Sequence, residues 1–208
     1  MMSVARRERA ALVATMREAG PDAPTLCEGW TTRDLAAHLV VRERRIDAAP
    51  GILLPALAGY TAKVQEQVTA SNDWAALLDK VAAGPPVYSP FALLDPLVNV
   101  AEMFIHHEDV RRAGTSWEPR VLDDQTGRAL ERQVAQFARM TLSKSPARVS
   151  LAAPDGKVLA SAGSGAPVTV TGEPGELLLF AAGREPARVT FDGDDDAVAA
   201  LRAARRGL

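Results

Sequence analysis

The sequence lacks several features that would each point to a particular class of protein. It has one cysteine in 208 residues, so no disulfide can form within the chain, as is typical of proteins from a reducing compartment. No apolar run reaches the roughly 18 residues that a membrane-spanning helix needs, and the charged N-terminus lacks the apolar core of a signal peptide. The formal net charge of −2 gives no broad positive field for nucleic acid or anionic lipid. We therefore expect a cytoplasmic protein with no nucleic-acid or membrane partner.

The distribution of periodic segments predicts a two-part α+β chain. Up to Ser143, apolar residues recur at helical spacing between Gly, Pro and capping residues. The predicted helices span about 3–19, 31–49, 56–83 with a break near Asn72-Asp73, 95–113 beginning at Asp95-Pro96, and 123–142. Beyond that point, short β-branched runs alternate with two short helical segments. The sequence therefore predicts a helical domain over residues 1–145 and a small α+β domain over residues 146–208.

The three histidines concentrate the candidate chemistry in the helical part. Glu102 and His106 are four residues apart on one predicted helix, so their side chains share a face and can converge on one ion. His38, on another helix, could supply a third ligand across the interior of a bundle. Two imidazoles and a carboxylate leave a coordination position open, as in catalytic zinc sites. Spacing alone leaves two alternatives: a surface Glu–His pair, and a histidine satisfied within the core.

The neighbouring polar residues have supporting or structural interpretations. Asp109 follows His106 by three residues and could accept a hydrogen bond that fixes the imidazole. His107 lies about 100° further around the helix, so we expect it beside the site or on the surface and not among the ligands. Cys27 is interpreted as a small buried apolar residue rather than a nucleophile.

Two motifs resemble those of a known family. The segment LCEGWTTRDLAAHLVVRERR contains Trp30, Thr31, Asp34 and His38 in a Trp-Thr-x-x-Asp-x-x-x-His pattern, and NVAEMFIHHEDVRRAG contains a Glu-x-x-x-His-x-x-Asp pattern followed by arginines. Both are similar to motifs of the DinB-like superfamily and, more narrowly, of the mycothiol-dependent maleylpyruvate isomerase family with its metal-binding relatives. The segment VTVTGEPGELLLFAAGR resembles the family's C-terminal part.

The resemblance implies a fold, a ligand set and a cofactor. The fold would be a DinB-like four-helix bundle followed by a small sterol-carrier-like α+β domain, which looks short here. The metal ligands would be His38, Glu102 and His106, and Arg184 would pair with a substrate carboxylate. The metal, zinc first and otherwise nickel, iron or manganese, would activate the thiol of mycothiol toward an electrophilic small-molecule substrate.

The candidate ligands and the resemblance together are compatible with three functions. The first is a metal- and thiol-dependent isomerase or transferase, as the resemblance implies. The second is a thiol-independent metal hydrolase that uses an activated water. The third is a non-catalytic protein that binds a metal or a small ligand. A cleft containing Arg184 would favour the first, whereas a sealed metal site or a fourth protein ligand such as His107 would favour the third.

Overall fold

Helices form the regular structure of the first part of the chain. The structure is a computed structural model that describes residues 2–52, 54–204 and 206, without the side chains of residues 90, 91 and 93–98. Its first compact unit is Met1–Trp117. The α-helices in this unit are α1 Val4–Ala19, α2 Thr32–Arg44, α3 Ala58–Ala70, α4 Trp74–Ala83 and α5 Pro90–Arg111, with short 3-10 turns at Ala49–Ile52 and Pro55–Leu57.

The beginnings of these helices follow from local capping chemistry. At α2, the Thr31 side chain accepts a hydrogen bond from the backbone of Asp34, and the Asp34 carboxylate accepts one from the backbone of Thr31. This reciprocal box satisfies two backbone donors that helix geometry leaves free. The predicted break between α3 and α4 is confirmed, because Asp73 caps α4.

The predicted start of α5 is wrong. The helix begins at Pro90 and not after Asp95. Proline suits the first turn of a helix because it has no N–H to leave unpaired there, and the sequence offers that choice at both Pro90 and Pro96. Residues 91–94 are Phe, Ala and Leu, which are compatible with a helix, so the helix extends to the earlier proline.

A cluster of buried apolar residues in the helical unit holds α2 and α5 in place. Helix α1 packs along α5, and α2 packs against α3 and α4. The core cluster draws on α1, α2, α4 and α5 and consists of Leu12, Val13, Met16, Leu35, Ala36, Ala37, Leu39, Val40, Leu77, Leu78, Val81, Met103 and Val110. Because these residues are removed from water on folding, their helices are fixed relative to one another.

The second compact unit, Glu118–Leu208, combines helices with a small sheet. Its elements are α6 Asp124–Thr141, β1 Arg148–Ala152, β2 Val158–Ala162, β3 Pro167–Thr171, α7 Pro174–Ala181, β4 Thr190–Gly193 and α8 Asp195–Ala203. The strand order is β2-β1-β3-β4. Strand β1 runs parallel to β3 and antiparallel to β2, while β4 pairs antiparallel with β3. In β1 and β3, the buried side chains include Val149, Leu151, Val168 and Val170.

The contacts of α6 place the division of the chain earlier than residue 145. The sequence pattern changes from helix to strand near that residue, which is why the predicted boundary falls there. However, α6 packs on α7 and β2, so it belongs with the sheet. The α+β fold class, helices followed by a small part containing a sheet, is confirmed. Among the described residues, no helix is both long enough and apolar enough to cross a membrane.

Candidate metal centre

Helices α2 and α5 bring His38, Glu102 and His106 together. One ligand atom of each residue lies within 4.8 Å of the corresponding atoms of the other two. Glu102 Oε1 is 3.3 Å from His106 Nε2 and 3.7 Å from His38 Nε2. Both histidines are buried, whereas Glu102 is partly exposed. The cluster is therefore a set of nitrogen and oxygen donors at the interface of two helices, arranged around a common point.

Local structure accounts for this convergence. Glu102 and His106 share one face of α5 because they are four residues apart. His38 is held on α2 between Ala37 and Leu39, both of which are fully buried. The indole of Trp30 packs on the His38 imidazole with 5.1 Å between ring centroids, and the two imidazoles meet edge-on at 5.5 Å.

A buried arginine stabilises the charge on Glu102. Arg42 Nε lies 3.1 Å from Glu102 Oε1, and Arg42 Nη1 donates to Asn99 Oδ1 at 2.7 Å. Burial favours the neutral carboxyl, but the Arg42 guanidinium and the hydrogen bonds with His106 and His38 hold the pKa of Glu102 well below its ordinary value. Glu102 is therefore an anion that can serve as a ligand.

The two imidazoles have opposite protonation preferences. Burial lowers the pKa of His38, in spite of its hydrogen bond with Glu102, so its neutral form is favoured. Burial also opposes charge on His106, but hydrogen bonds with Asp109, Cys27 and Glu102 raise the pKa of His106 well above its ordinary value. In the metal-free protein, the positive charge at the centre is thus carried by His106 and Arg42.

Asp109 supports the His106 ring from the opposite side. Its Oδ2 lies 2.9 Å from His106 Nδ1, and its side chain is completely buried. The same oxygen lies 3.2 Å from Cys27 Sγ, which donates to it. A carboxylate on the far nitrogen of an imidazole fixes the ring and leaves the other nitrogen to bind a cation. The expected position of Asp109 beside His106 is what the structure shows.

The donor set fits a divalent transition metal. Two imidazoles and one carboxylate form a three-ligand combination that suits zinc, iron, nickel or manganese, and the Asp109–His106 contact is the outer hydrogen bond that such ligands normally have. The positive charge on His106 and Arg42 balances Glu102 and Asp109 in the absence of a cation. The role of the three residues as metal ligands remains a prediction.

His107 has a different environment from His106. Its Nδ1 lies 2.7 Å from Glu8 Oε1 and its Nε2 lies 2.9 Å from Thr15 Oγ1, so both ring nitrogens bind to α1. The side chain is buried, and neither of these bonds reaches the candidate ligands. His107 is thus neither on the surface nor a fourth ligand in this arrangement.

Arg184 lies in the second compact unit, after α7. It is half-buried, and its Nη1 donates to the carbonyl of Ala182 at 2.9 Å. The preceding Gly183 has a φ of 80°, a conformation that favours glycine and turns the chain sharply at the end of α7. A role for Arg184 in binding a substrate carboxylate remains a prediction.

Sequence reasoning missed three residues that contact the candidate centre. Arg42 follows His38 by four residues, so helical spacing alone could have placed it on the same face of α2. Trp30 belongs to the quoted motif, but its contact with His38 depends on the path of the chain before α2. The contact of Cys27 with Asp109 joins residues far apart in sequence, and no local pattern indicates it.

A cleft opens beside the centre within the helical unit. It has a volume of about 560 Å³, and its walls include His38 and Trp30 together with one side of α3. A candidate ligand of the metal thus forms part of the wall of a space large enough for a small molecule.

The fold and the buried centre define a class: a helical domain with a two-histidine, one-carboxylate cluster beside a cleft, followed by a small α+β unit. Residues 3–101 match the family model of the mycothiol maleylpyruvate isomerase N-terminal domain. The first part of the chain is thus similar to this domain, and the match covers just under half of the sequence. The matched region includes His38 and ends one residue before Glu102.

Two solved structures resemble nearly the whole chain. One is the crystal structure of the mycothiol-dependent maleylpyruvate isomerase, which is 17% identical with a TM-score of 0.55, covering 91% of this chain and 90% of that chain. The other is a variant of that isomerase with one histidine replaced by alanine, which is 16% identical with the same TM-score and coverage. At this identity the likeness shows the fold. No curated protein matched the sequence.

Proposed function

We propose that this protein binds a divalent metal through His38, Glu102 and His106, and uses a low-molecular-weight thiol, mycothiol, in an isomerase or transferase reaction. The observation that carries the proposal is the convergence of these three donors, one of which, His38, also lines a cleft. The family of the N-terminal domain supports mycothiol as the thiol. We propose zinc first as the metal, with nickel, iron or manganese as alternatives.

Each residue of the centre has a defined task in this proposal. His38, Glu102 and His106 would hold the metal, which when bound would lower the pKa of a thiol so that it ionises near neutral pH. Asp109 orients His106, and Arg42 keeps Glu102 ionised. Trp30 packs against His38 in the wall of the cleft. The cleft would admit the thiol and an electrophilic substrate.

We also propose a domain architecture that resembles that of the family. The helical unit would be a DinB-like four-helix bundle, and the sheet with its helices would be a sterol-carrier-like domain. We propose the cytoplasm as its location because a thiol cofactor and a free cysteine both suit a reducing compartment.

The test is a calorimetric titration of mycothiol into zinc-loaded protein, with His38→Ala as the negative control and His107→Ala as the matched positive control. His107 is a buried histidine of the same unit whose bonds go to α1, so its removal should leave metal and thiol binding intact. We expect binding by the unaltered protein and His107→Ala, and none by His38→Ala. A fully metallated protein that binds no mycothiol would leave the metal hydrolase and the non-catalytic binding protein as the remaining hypotheses.

Arg184 provides a separate test of the substrate class. The Arg184→Ala variant should keep its metal and its affinity for mycothiol but lose turnover of substrates that carry a carboxylate, because a guanidinium binds a carboxylate through two parallel hydrogen bonds. Arg148→Ala, which removes an exposed arginine of the same unit, is the control. Kinetics unchanged by Arg184→Ala would exclude this residue from the substrate site.

A further inference from the structure

The cleft beside His38 has one wall formed by a regular stripe of α3. Ala58, Ala62, Gln65, Glu66 and Thr69 line it at spacings of three and four residues, so they lie on one side of the helix. The neighbouring Val64 instead packs in a small buried cluster with Val41 and Ala48, and Val68 packs against both apolar clusters. The small alanines leave room, and the longer polar side chains border the space that begins at His38.

The charged side chains that line the cleft have one sign. Asp34 and Glu66 contribute carboxylates, and no lysine or arginine is among the described residues that line it. Arg33, which is adjacent to Asp34, places its guanidinium over the Trp74 ring at 6.0 Å. Away from the metal centre, an anionic group in the cleft would therefore meet the carboxylates of Asp34 and Glu66 and no lysine or arginine of the described lining.

The stripe also offers hydrogen-bonding groups that the protein does not use. Among the described residues, no hydrogen bond or ion pair involves the side chain of Glu66 or Thr69. Gln65 Nε2 makes only a long contact of 3.4 Å, to the carbonyl of Asp34, so its amide oxygen is also available. A carboxylate and an amide oxygen are acceptors, and they bind hydroxyl or N–H donors.

We propose that this cleft holds a neutral, hydroxyl-rich part of the thiol ligand and discriminates against anionic thiols, with Glu66 as a residue that determines this specificity. The inference rests on the proposed function, since the sulfur would lie at the centre that includes His38. Hydroxyl groups of the ligand donate to Glu66 and Gln65, and an apolar ring face packs on Trp30. Repulsion of anionic ligands by Asp34 and Glu66 supplies the discrimination.

The test compares the affinities of two thiols, mycothiol and glutathione, for zinc-loaded protein at low ionic strength. Glutathione is the anionic thiol, since it carries a net negative charge. Calorimetry should show that the unaltered protein prefers mycothiol. Glu66→Lys should reduce the ratio of the two affinities by about three- to tenfold. The effect is modest because Glu66 is exposed and solvent screens its charge. Glu18→Lys makes the same change of charge at an exposed position of α1 outside the cleft, and should leave the preference unchanged.

A steric variant tests the location independently of charge. Ala62 is exposed and lines the cleft, so Ala62→Trp should fill it and weaken mycothiol binding at least tenfold without loss of zinc. Gln67→Trp adds the same bulk at an exposed position of α3 that does not line the cleft, and should bind mycothiol normally. Both variants change solvent-facing positions, and zinc content together with thermal melting verifies their folding.

The outcomes separate this inference from the proposed function. If no thiol binds to the zinc-loaded protein, both are overturned. If mycothiol binds but Glu66→Lys alters the preference no more than Glu18→Lys, or Ala62→Trp binds as well as Gln67→Trp, the thiol is held elsewhere and only the inference about the cleft fails. A lower preference in Glu66→Lys together with weak binding by Ala62→Trp supports it.

Discussion

His106 and His107 are adjacent on α5, yet they lie in two chemically different regions of the helical unit. His106 faces Glu102 and His38 with one nitrogen and Asp109 with the other. His107 faces α1, where Glu8 and Thr15 bind its two nitrogens. One carboxylate and one hydroxyl satisfy both hydrogen-bonding nitrogens of an imidazole. Several metal-binding donors around one point form a site that can bind a cation. The partners of a histidine, more than its burial, therefore distinguish a binding site from a structural contact.

The largest expected effect comes from removing a candidate ligand. His38→Ala and His106→Ala should each lower zinc affinity by more than about 100-fold. Loss of a residue that only hydrogen-bonds to a ligand typically costs about 10- to 100-fold, and loss of the ligand itself should cost more. His107→Ala should retain one equivalent of zinc. Metal analysis after dialysis, followed by competition with a chelator, measures this. If both ligand variants retained a full equivalent, or if His107→Ala lost it, the distinction between the two regions would be wrong.

Asp109→Asn tests whether the region around His106 depends on its outer hydrogen bond. Replacement of a carboxylate that orients a ligating histidine typically reduces metal affinity by about 10- to 100-fold. We expect Asp109→Asn to lose zinc affinity by this factor and still to bind one equivalent of zinc at saturation. Asp79→Asn, at an exposed position of α4, is the control, and equal affinities in the two variants would contradict the role given to Asp109.

The region around His107 should matter for stability instead of metal binding. Glu8→Gln weakens a charged hydrogen bond between α1 and α5, and His107→Ala leaves Glu8 buried without this partner. We expect each to lower the free energy of unfolding of the metal-free protein by about 1–3 kcal/mol. Denaturant titration gives this value, and unchanged midpoints in both variants would show that the network contributes nothing.

The smallest expected effect is at Cys27. Its thiol is a weak donor that binds Asp109, so Cys27→Ala should weaken zinc binding by roughly two- to tenfold, the range for one modest hydrogen bond. Cys27→Ser keeps a donor and should restore most of the affinity. A serine variant as weak as the alanine variant would show that Cys27 acts only by filling space.

Local chemistry made several features of the molecule predictable. Thr31 and Asp34 predict the start of α2, because a capping side chain satisfies backbone groups within its own turn. Asn72-Asp73 predicts the break between α3 and α4, where the structure shows Asp73 as the capping residue. The four-residue spacing of Glu102 and His106 places both on one face of α5, because a helix turns once in about 3.6 residues. The start of α5 was not predictable in this way, since Pro90 and Pro96 satisfy the same local rule.

Which residues share a helix, and how they are distributed around it, follows from the sequence alone, including the 100° between His106 and His107. Tertiary structure decided what each face meets: α2 with His38 and Arg42 on one side of α5, and α1 with Glu8 on the other. It also assigned α6 to the sheet and opened the cleft along α3. The difference lies in how far apart along the chain the interacting residues are. Helical periodicity arises from hydrogen bonds four residues apart, whereas the partner of a helix depends on how apolar surfaces from distant parts of the chain fill one core.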